Sequence, residues 1–198
     1  MSQIYKTQCD FSIIIAEDFI QRRIMIRKIL LTTIVLLAGL TAVSAQGENT
    51  AELQRGEVKK LESMVGQWKG SGWIQQGTKR ETFTGTETVQ RKLDGLALLV
   101  EGRFTNPEGK VIHETLAILD FDAKPAKYRF RTYLATGRSG EHDFKLIADG
   151  FEWGFLSPMG TIRYTIITAN DIWFESGEFS KDGKTWTKFF EMKLDRVK

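Results

Sequence analysis

The sequence has little of the chemistry on which metal centres and redox sites depend. Cys9 is the only cysteine, so neither an intramolecular disulfide nor a cysteine cluster for zinc or an iron–sulfur centre can form. The two histidines, His113 and His142, are too few for a multi-histidine metal site. The formal net charge of +3 is small, and this argues against the basic surface that binds nucleic acid. We therefore predict no metal, no cofactor and no nucleic-acid partner.

Sequence signatures of catalysis are also missing. The chain has no Gly-x-Ser-x-Gly motif of the kind that presents a serine nucleophile. His113 adjoins Glu114, and His142 adjoins Asp143, within segments that read as strands. Neighbours in a strand point to opposite faces, so neither pair can form a catalytic dyad. We predict no catalytic residue from these motifs.

The first 45 residues differ in character from the rest of the chain. A basic cluster precedes an apolar run over residues 29–40, and small residues follow up to Ala45. This order is typical of a secretory signal, so we expect cleavage after Ala45 and a periplasmic or secreted product. We expect no stable membrane insertion after cleavage, and Met25 is a candidate for the true start. The alternative is an uncleaved anchor, but the run is short for about 30 Å of hydrocarbon.

The remainder divides into a lead-in over residues 46–60 and a single domain over residues 61–198. The lead-in is polar at first and then begins a short helix. Five apolar residues recur at roughly helical spacing: Leu53, Val58, Leu61, Met64 and Val65. This pattern predicts an amphipathic helix of two or three turns, which must pack against something to be stable. We expect it to close one end of a barrel.

Ten segments of alternating apolar and polar residues follow, and such alternation predicts half-buried β-strands. The predicted strands cover residues 68–75, 80–93, 96–105, 111–121, 127–134, 141–148, 151–156, 161–168, 171–180 and 185–194. Turn residues fill the gaps, as in Asn106-Pro107-Glu108-Gly109 and Asp149-Gly150. An open sheet of this kind would leave two exposed edges, and closure removes them. We predict an all-β fold, an antiparallel up-and-down barrel of about ten strands with a short N-terminal helix.

A short motif resembles lipocalins and related calycin barrels. Gly66 and Trp68 form a Gly-x-Trp where the helix enters the first strand. In those barrels the Trp plugs the closed end, and an Arg near the C-terminus lies across its ring. Arg196 is the matching residue here. This resemblance implies a cation–π contact worth about 0.5–2 kcal/mol.

The stretch from Leu61 to Arg196 is similar to a bacterial family of lipocalin-like barrels, the domain-of-unknown-function family numbered 1579. The matching segments are residues 65–72, 92–95, 128–131 and 177–183. The family implies a barrel but no reaction and no ligand. Haem-binding nitrobindin-like barrels are similar in opening with a Trp and spaced glycines, but they bind iron through a late histidine. No histidine follows His142, so the haem hypothesis lacks its ligand.

Two glutamates are candidate functional groups. If the apolar faces point inward, Glu87 and Glu114 project into the interior from different strands. Buried carboxylates are costly unless paired, so they could hold a ligand or act as acid and base. The alternative is a position near the barrel mouth, hydrated or paired with arginine. Arg129 and Arg131 share one face and could grip an anion, or they could be balanced by acidic neighbours on the outside.

Aromatic residues give the second candidate site. Tyr128, Trp153, Tyr164 and Trp173, together with Trp73 and Trp186, could line an apolar pocket or simply fill the barrel.

The leading hypothesis is a monomeric exported barrel that binds a small apolar or amphipathic molecule, without catalysis. The predicted ligand-binding residues are Glu87, Glu114, Tyr128, Trp153, Tyr164 and Trp173. One alternative is a small hydrolase or isomerase that uses a buried carboxylate, and another is a structural or envelope-stress protein with a filled barrel. A cavity that holds a carboxyl group of raised pKa would favour the enzyme, whereas a purely aromatic cavity would favour binding.

Overall fold

The structure is a computed structural model that describes residues 49–198. Cys9, Met25 and the predicted signal with its cleavage after Ala45 lie outside the described residues. Within residues 49–198, no helix combines the length and apolar character needed to cross a bilayer.

Ten antiparallel strands close into a barrel, as the alternation predicts. Each strand pairs with the next in sequence, and β1 closes the ring by pairing with β10, from Trp68 opposite Arg196 to Ile74 opposite Phe190. The strands are β1 (Gly66–Gln76), β2 (Lys79–Lys92), β3 (Ala97–Thr105), β4 (Val111–Asp122), β5 (Lys127–Leu134), β6 (Ser139–Ile147), β7 (Gly150–Ser157), β8 (Gly160–Ala169), β9 (Ile172–Ser180) and β10 (Thr187–Arg196). The predicted boundaries differ from these by no more than two residues.

Strand β2 shows why these residues form a barrel wall. Its threonines lie on the outer face, and Phe83, Glu87 and Val89 are buried on the inner face. Inner glycines leave room for large neighbours: a Cβ on Gly85 would stand 2.1 Å from a ring carbon of Phe104. The inner face thus alternates small and large residues on adjacent strands, which lets wide rings fit a tightly curved wall.

The N-terminal helix, α1, includes residues 49–59, and a 3₁₀ turn follows at Glu62–Met64. Val58 is buried, but Leu53 is 48% exposed, so the prediction that Leu53 belongs to the packed stripe is wrong. Polar contacts also hold the helix on the barrel. Gln54 donates a 3.0 Å hydrogen bond to the carbonyl of Phe121, and the Tyr128 hydroxyl lies 3.0 Å from a carboxylate oxygen of Glu57. The helix therefore sits on the barrel through hydrogen bonds as well as apolar contact.

The two ends of the barrel are built differently. The closed end holds α1 and the starts of the odd-numbered strands, with deeply buried Leu61, Leu98, Leu119 and Leu194. The open end holds the finishes of the odd-numbered strands, and inward-facing aromatic side chains there are only half-buried. The rings near the open end are therefore less enclosed than the side chains at the closed end.

Trp68 is fastened at the closed end from several sides. Its indole N–H donates a 2.8 Å hydrogen bond to the carbonyl of Met64, and the guanidinium of Arg196 lies 4.0 Å from the centre of the ring. Arg196 also donates to the carbonyl of Val65 at 2.5 Å. Gly66 has a φ of +144°, and a Cβ there would stand 2.3 Å from a guanidinium nitrogen of Arg196. The contact that the calycin resemblance implies is present, and it requires glycine at position 66.

Candidate functional site: a buried acidic pair in an aromatic interior

Two glutamates face the barrel interior, Glu87 from β2 and Glu175 from β9. Their exposed fractions are 7% and 8%, which is unusual because glutamate is rarely fully buried without a partner. Backbone alternation places them there. Glu87 shares its face with Phe83 and Val89, and Glu175 shares its face with Trp173.

Glu175 accepts hydrogen bonds from two indoles. The N–H of Trp173, two residues earlier on the same face of β9, lies 3.2 Å from one carboxyl oxygen. The N–H of Trp153, from β7, lies 3.3 Å from the other oxygen. An ionised carboxylate only accepts hydrogen bonds. A donor on each oxygen therefore stabilises the negatively charged form of Glu175.

Glu87 lies against the backbone of β3, where a Cβ on Gly102 would approach one of its carboxyl oxygens to 2.7 Å. The missing side chain at Gly102 therefore makes room for the carboxyl group. The Oε2 atom of Glu87 has no hydrogen-bond partner within the part of the chain that the structure describes. A buried polar atom without a partner costs about 1–3 kcal/mol, so its presence inside the barrel calls for an explanation.

Burial raises the pKa of both carboxyl groups. Removal from water, together with the nearby charge of Glu175, raises the pKa of Glu87 to about 8. Removal from water raises the pKa of Glu175 to about 7, against the lowering effect of the two indole hydrogen bonds. Both carboxyl groups therefore stay protonated to a higher pH than an exposed glutamate does.

An aromatic wall extends from the acidic pair toward the open end. Tyr164 on β8 stacks on Trp153, with ring centres 4.2 Å apart and planes 8° from parallel. Gly177 leaves room for this stack, because a Cβ there would come within 2.8 Å of the Tyr164 ring. Phe130 and Phe155 continue the wall, and all four rings are half-buried. Their exposed edges form an apolar surface in contact with solvent at the open end.

His142 also faces the interior. Its Nε2 lies 2.8 Å from the hydroxyl oxygen of Thr132, and its Nδ1 has no hydrogen-bond partner among residues 49–198. Its ring packs beside Trp153 and Phe155, and burial lowers its pKa. His142 is therefore mainly neutral at pH 7, and its Nδ1 is a second unsatisfied polar atom inside the barrel.

Four of the six predicted ligand-binding residues come together. Trp153 and Trp173 bind Glu175 directly, and Tyr164 stacks on Trp153. Glu87 belongs to the same cluster through its electrostatic interaction with Glu175. Tyr128 lies elsewhere: it is buried at the closed end with its hydroxyl directed at α1.

The expectation that Glu114 faces the interior is wrong. Its side chain is 54% exposed, 3.9 Å from Arg103, and it lines a groove of about 540 Å³ on the outer wall of β2 to β5. Both faces of the first half of β4 carry apolar residues, so alternation there does not define the inner face. The burial of Ala117 and Leu119 identifies the inner face of β4. Leu116, which shares its face with Glu114, is exposed.

The outward aromatic residues also correct the sequence analysis. Trp73 does not line the interior, because it lies on the opposite face of β1 from Trp68 and Ile74, and Arg80 stacks on its ring at 3.7 Å. Trp186 does not line it either, because its ring carries Arg163 at 3.9 Å, and Arg163 lies on the opposite face of β8 from Tyr164.

Arg129 and Arg131 form ion pairs with Asp120, which supports the outer-face alternative for these two arginines.

Glu175 is the functional candidate that sequence reasoning missed. Its position two residues after Trp173 and two before Gly177 was the available signal. Phe174 and Ile172 give the opposite face of β9 a similar apolar character, which hides that signal.

Comparison with known proteins adds information on the fold alone. No family model matches the chain, and no curated protein matches it. Among solved structures, the crystal structure of Rv2717c from M. tuberculosis is similar, with a TM-score of 0.54 and 14% identity. The match covers 71% of this chain and 97% of that one. The molecule is thus a closed ten-stranded antiparallel barrel that shares its fold with a mycobacterial protein.

Proposed function

We propose that the barrel binds a small apolar or amphipathic molecule, which enters through the open end. The observation that supports this most is the half-buried state of inward-facing aromatic rings above a buried polar group. Interior sites of this composition select ligands by shape, while a few polar groups fix orientation. The stacked pair of Trp153 and Tyr164 offers the apolar surface, and Glu87 with Glu175 offers the polar end.

An uncharged fluorescent probe, N-phenyl-1-naphthylamine, tests this proposal. We expect its emission to rise on binding, with energy transfer from the tryptophans. Trp153→Leu should weaken binding by about fivefold or more, a loss of about 1 kcal/mol or more. Trp73→Leu removes an indole from the outer face and is the matched control, for which we expect little change. Absence of probe binding, or an equal loss in both variants, would contradict the proposal.

Native mass spectrometry would then identify a natural ligand. The protein should be purified from its own source without detergent, and we expect a bound small molecule that acid or organic solvent releases. Recovery of polypeptide without a ligand, which also does not bind the fluorescent probe, would argue for a barrel with a structural role.

A second candidate function is proton transfer to a bound substrate, as in a small hydrolase or isomerase. The specific observation in its favour is that Glu87 and Glu175 have pKa values near neutrality inside the barrel. An enzyme of this kind would show turnover that Glu87→Gln abolishes without loss of substrate binding. The same substitution in a pure binding protein would change affinity only.

Three further expectations remain proposals. Membership of the lipocalin-like family numbered 1579 stays a proposal that rests on the sequence segments alone. Export with cleavage after Ala45 would be tested by N-terminal sequencing of the mature protein. A monomeric state would be tested by light scattering during gel filtration.

A further inference from the structure

We propose that the ligand is an organic cation, a protonated amine or quaternary ammonium group attached to an apolar body. The cationic group would lie at Glu87 and Glu175, and the apolar body would extend along Trp153 and Tyr164 toward the open end. This inference rests on the proposed function, because it names the class of molecule that the interior accepts.

The interior carries negative charge without a positive partner. Glu87 and Glu175 interact with each other inside the barrel, and no lysine or arginine within residues 49–198 pairs with either of them. Arg196 is directed at the closed end, where Asp171 and two backbone carbonyls occupy its guanidinium. Two buried acids without a cation are costly, and a positively charged ligand would remove that cost.

The two carboxyl groups differ in their hydrogen bonding. Glu175 already has an indole N–H on each oxygen, an arrangement that suits a fixed negative charge. Glu87 has one buried oxygen with no partner among the described residues. Glu87 is therefore the group that can pair with a ligand cation, through a hydrogen bond to a protonated amine or through charge alone to a quaternary ammonium, and the charge of Glu175 adds to this attraction.

Aromatic rings surround the acidic pair. Aromatic faces attract cations, with tryptophan the strongest, and aromatic cages are a common means of binding ammonium groups. Trp173 and Trp153 flank Glu175, and Trp68 makes an edge contact with Trp173, at 5.7 Å between ring centres. A carboxylate ligand would instead meet two acids and the neutral His142. The site thus favours a cation over an anion of the same shape.

The test compares three probes with the same ten-carbon chain: decyltrimethylammonium, decyl maltoside and decanoate. Each is titrated below its micelle concentration, with binding followed by tryptophan fluorescence and calorimetry at pH 7.5. We expect decyltrimethylammonium to bind at least about tenfold more tightly than decanoate, the factor that about 1.4 kcal/mol produces.

Two variants locate the selectivity. Glu87→Gln keeps the size of the side chain and removes its charge, so we expect about a tenfold loss for the cation and little change for decyl maltoside. Glu114→Gln makes the same charge change on the outer wall and should leave all three affinities unaltered. Glu87→Gln also removes a buried acid, so we expect it to fold at least as stably as the parent protein.

Each outcome decides between the two proposals. Binding of decyl maltoside or decanoate as tightly as the cation would overturn the cation assignment and leave interior binding in place. Equal weakening of the cation by Glu87→Gln and Glu114→Gln would also overturn it, because nonspecific surface attraction would then explain the selectivity. Binding of none of the three probes would overturn the proposed function itself.

Discussion

The closed and open ends of the barrel use the same kinds of residue in opposite ways. At the closed end, Trp68 is 1% exposed, donates its N–H to a backbone carbonyl and carries Arg196 on its ring. Toward the open end, Trp153 is half-buried, donates to a buried carboxyl group and stacks on Tyr164. Every polar atom of the first cluster is used within the protein, whereas the second cluster leaves polar atoms unsatisfied. The difference separates a cluster whose polar groups are all satisfied from one that contains unsatisfied polar atoms.

The arginines show the same contrast. Arg196 has partners on each side of its guanidinium at the closed end. Within the described chain, the acidic pair in the interior has no arginine or lysine partner at all. A protein interior normally avoids such an imbalance unless function requires it, because buried charge without a partner is destabilising.

Replacement of the two tryptophans should give the largest difference between the ends. We expect Trp68→Ala to lower the free energy of unfolding by about 3–5 kcal/mol, the usual cost of removing a buried ring. Trp153→Ala should lower it by about half as much, because the ring is already in partial contact with solvent. Urea denaturation measures both. Equal losses would break the distinction between the tightly packed closed end and the less enclosed open end.

The acidic pair should make stability depend on pH. Both carboxyl groups have folded-state pKa values above the ordinary 4.5, so between about pH 4.5 and pH 8 the folded state holds more protons than the unfolded state. The free energy of unfolding therefore falls as pH rises through this window and levels off above it. The two shifts together amount to about six pKa units, so at about 1.4 kcal/mol for each unit the loss is at most about 8 kcal/mol.

Variants isolate this pH effect from that of other groups such as His142. Glu87→Gln should flatten the fall between pH 5 and pH 8, and Glu114→Gln should not change it. Stability curves that stay parallel for all three proteins would show that the interior acids ionise normally.

Substitution of one glycine at each end of the barrel tests how tightly the closed end is packed. Gly66 and Gly183 both have positive φ, but only Gly66 faces a tight neighbour, the guanidinium of Arg196. We expect Gly66→Ala to cost about 2–3 kcal/mol through backbone strain and displacement of Arg196. Gly183→Ala, in the last turn at the open end, should cost about 1 kcal/mol from backbone strain alone. Thermal unfolding measures the loss of stability in each variant. Equal losses would contradict a special role for glycine at position 66.

The smallest expected difference concerns two stacked arginines. Arg196→Met removes a cation that is also hydrogen-bonded to backbone carbonyls, and we expect a loss of about 1–2 kcal/mol. Arg80→Met removes a cation from the outer face of Trp73, where exposure limits the contact to about 0.5 kcal/mol. Chemical denaturation of both variants would show whether the closed end depends on Arg196, and a smaller loss for Arg196→Met would contradict this.

The sequence allowed the barrel to be predicted because its inner face repeats every second residue over ten strands. Strand β5 was predicted with its observed bounds, and the position of Arg196 relative to Trp68 followed from a family motif. Turns were less exact. Asn170 and Asp171, both with positive φ, form the turn before β9, one residue later than expected.

The candidate site was only partly predictable, because the sequence pattern of some strands does not distinguish their inner face from their outer face. Inner and outer faces can be told apart only where one of them is polar, and this holds for β2 with its outward threonines. The two faces cannot be told apart in the first half of β4, where Glu114 is predicted on the wrong face. They cannot be told apart in β9 either, and Glu175 is therefore not predicted. The pairing of Glu87 with Glu175 joins strands that are distant in sequence, and no pattern within one strand could reveal it.

The most direct test of the account is a ¹³C NMR titration of the carboxyl groups of Glu87 and Glu175, assigned by the two glutamine variants. We predict midpoints near 8 and 7 in the free protein, and a marked fall of both when decyltrimethylammonium is bound. Midpoints near 4.5 that do not respond to the cation would show ordinary hydrated acids and would contradict the buried acidic site.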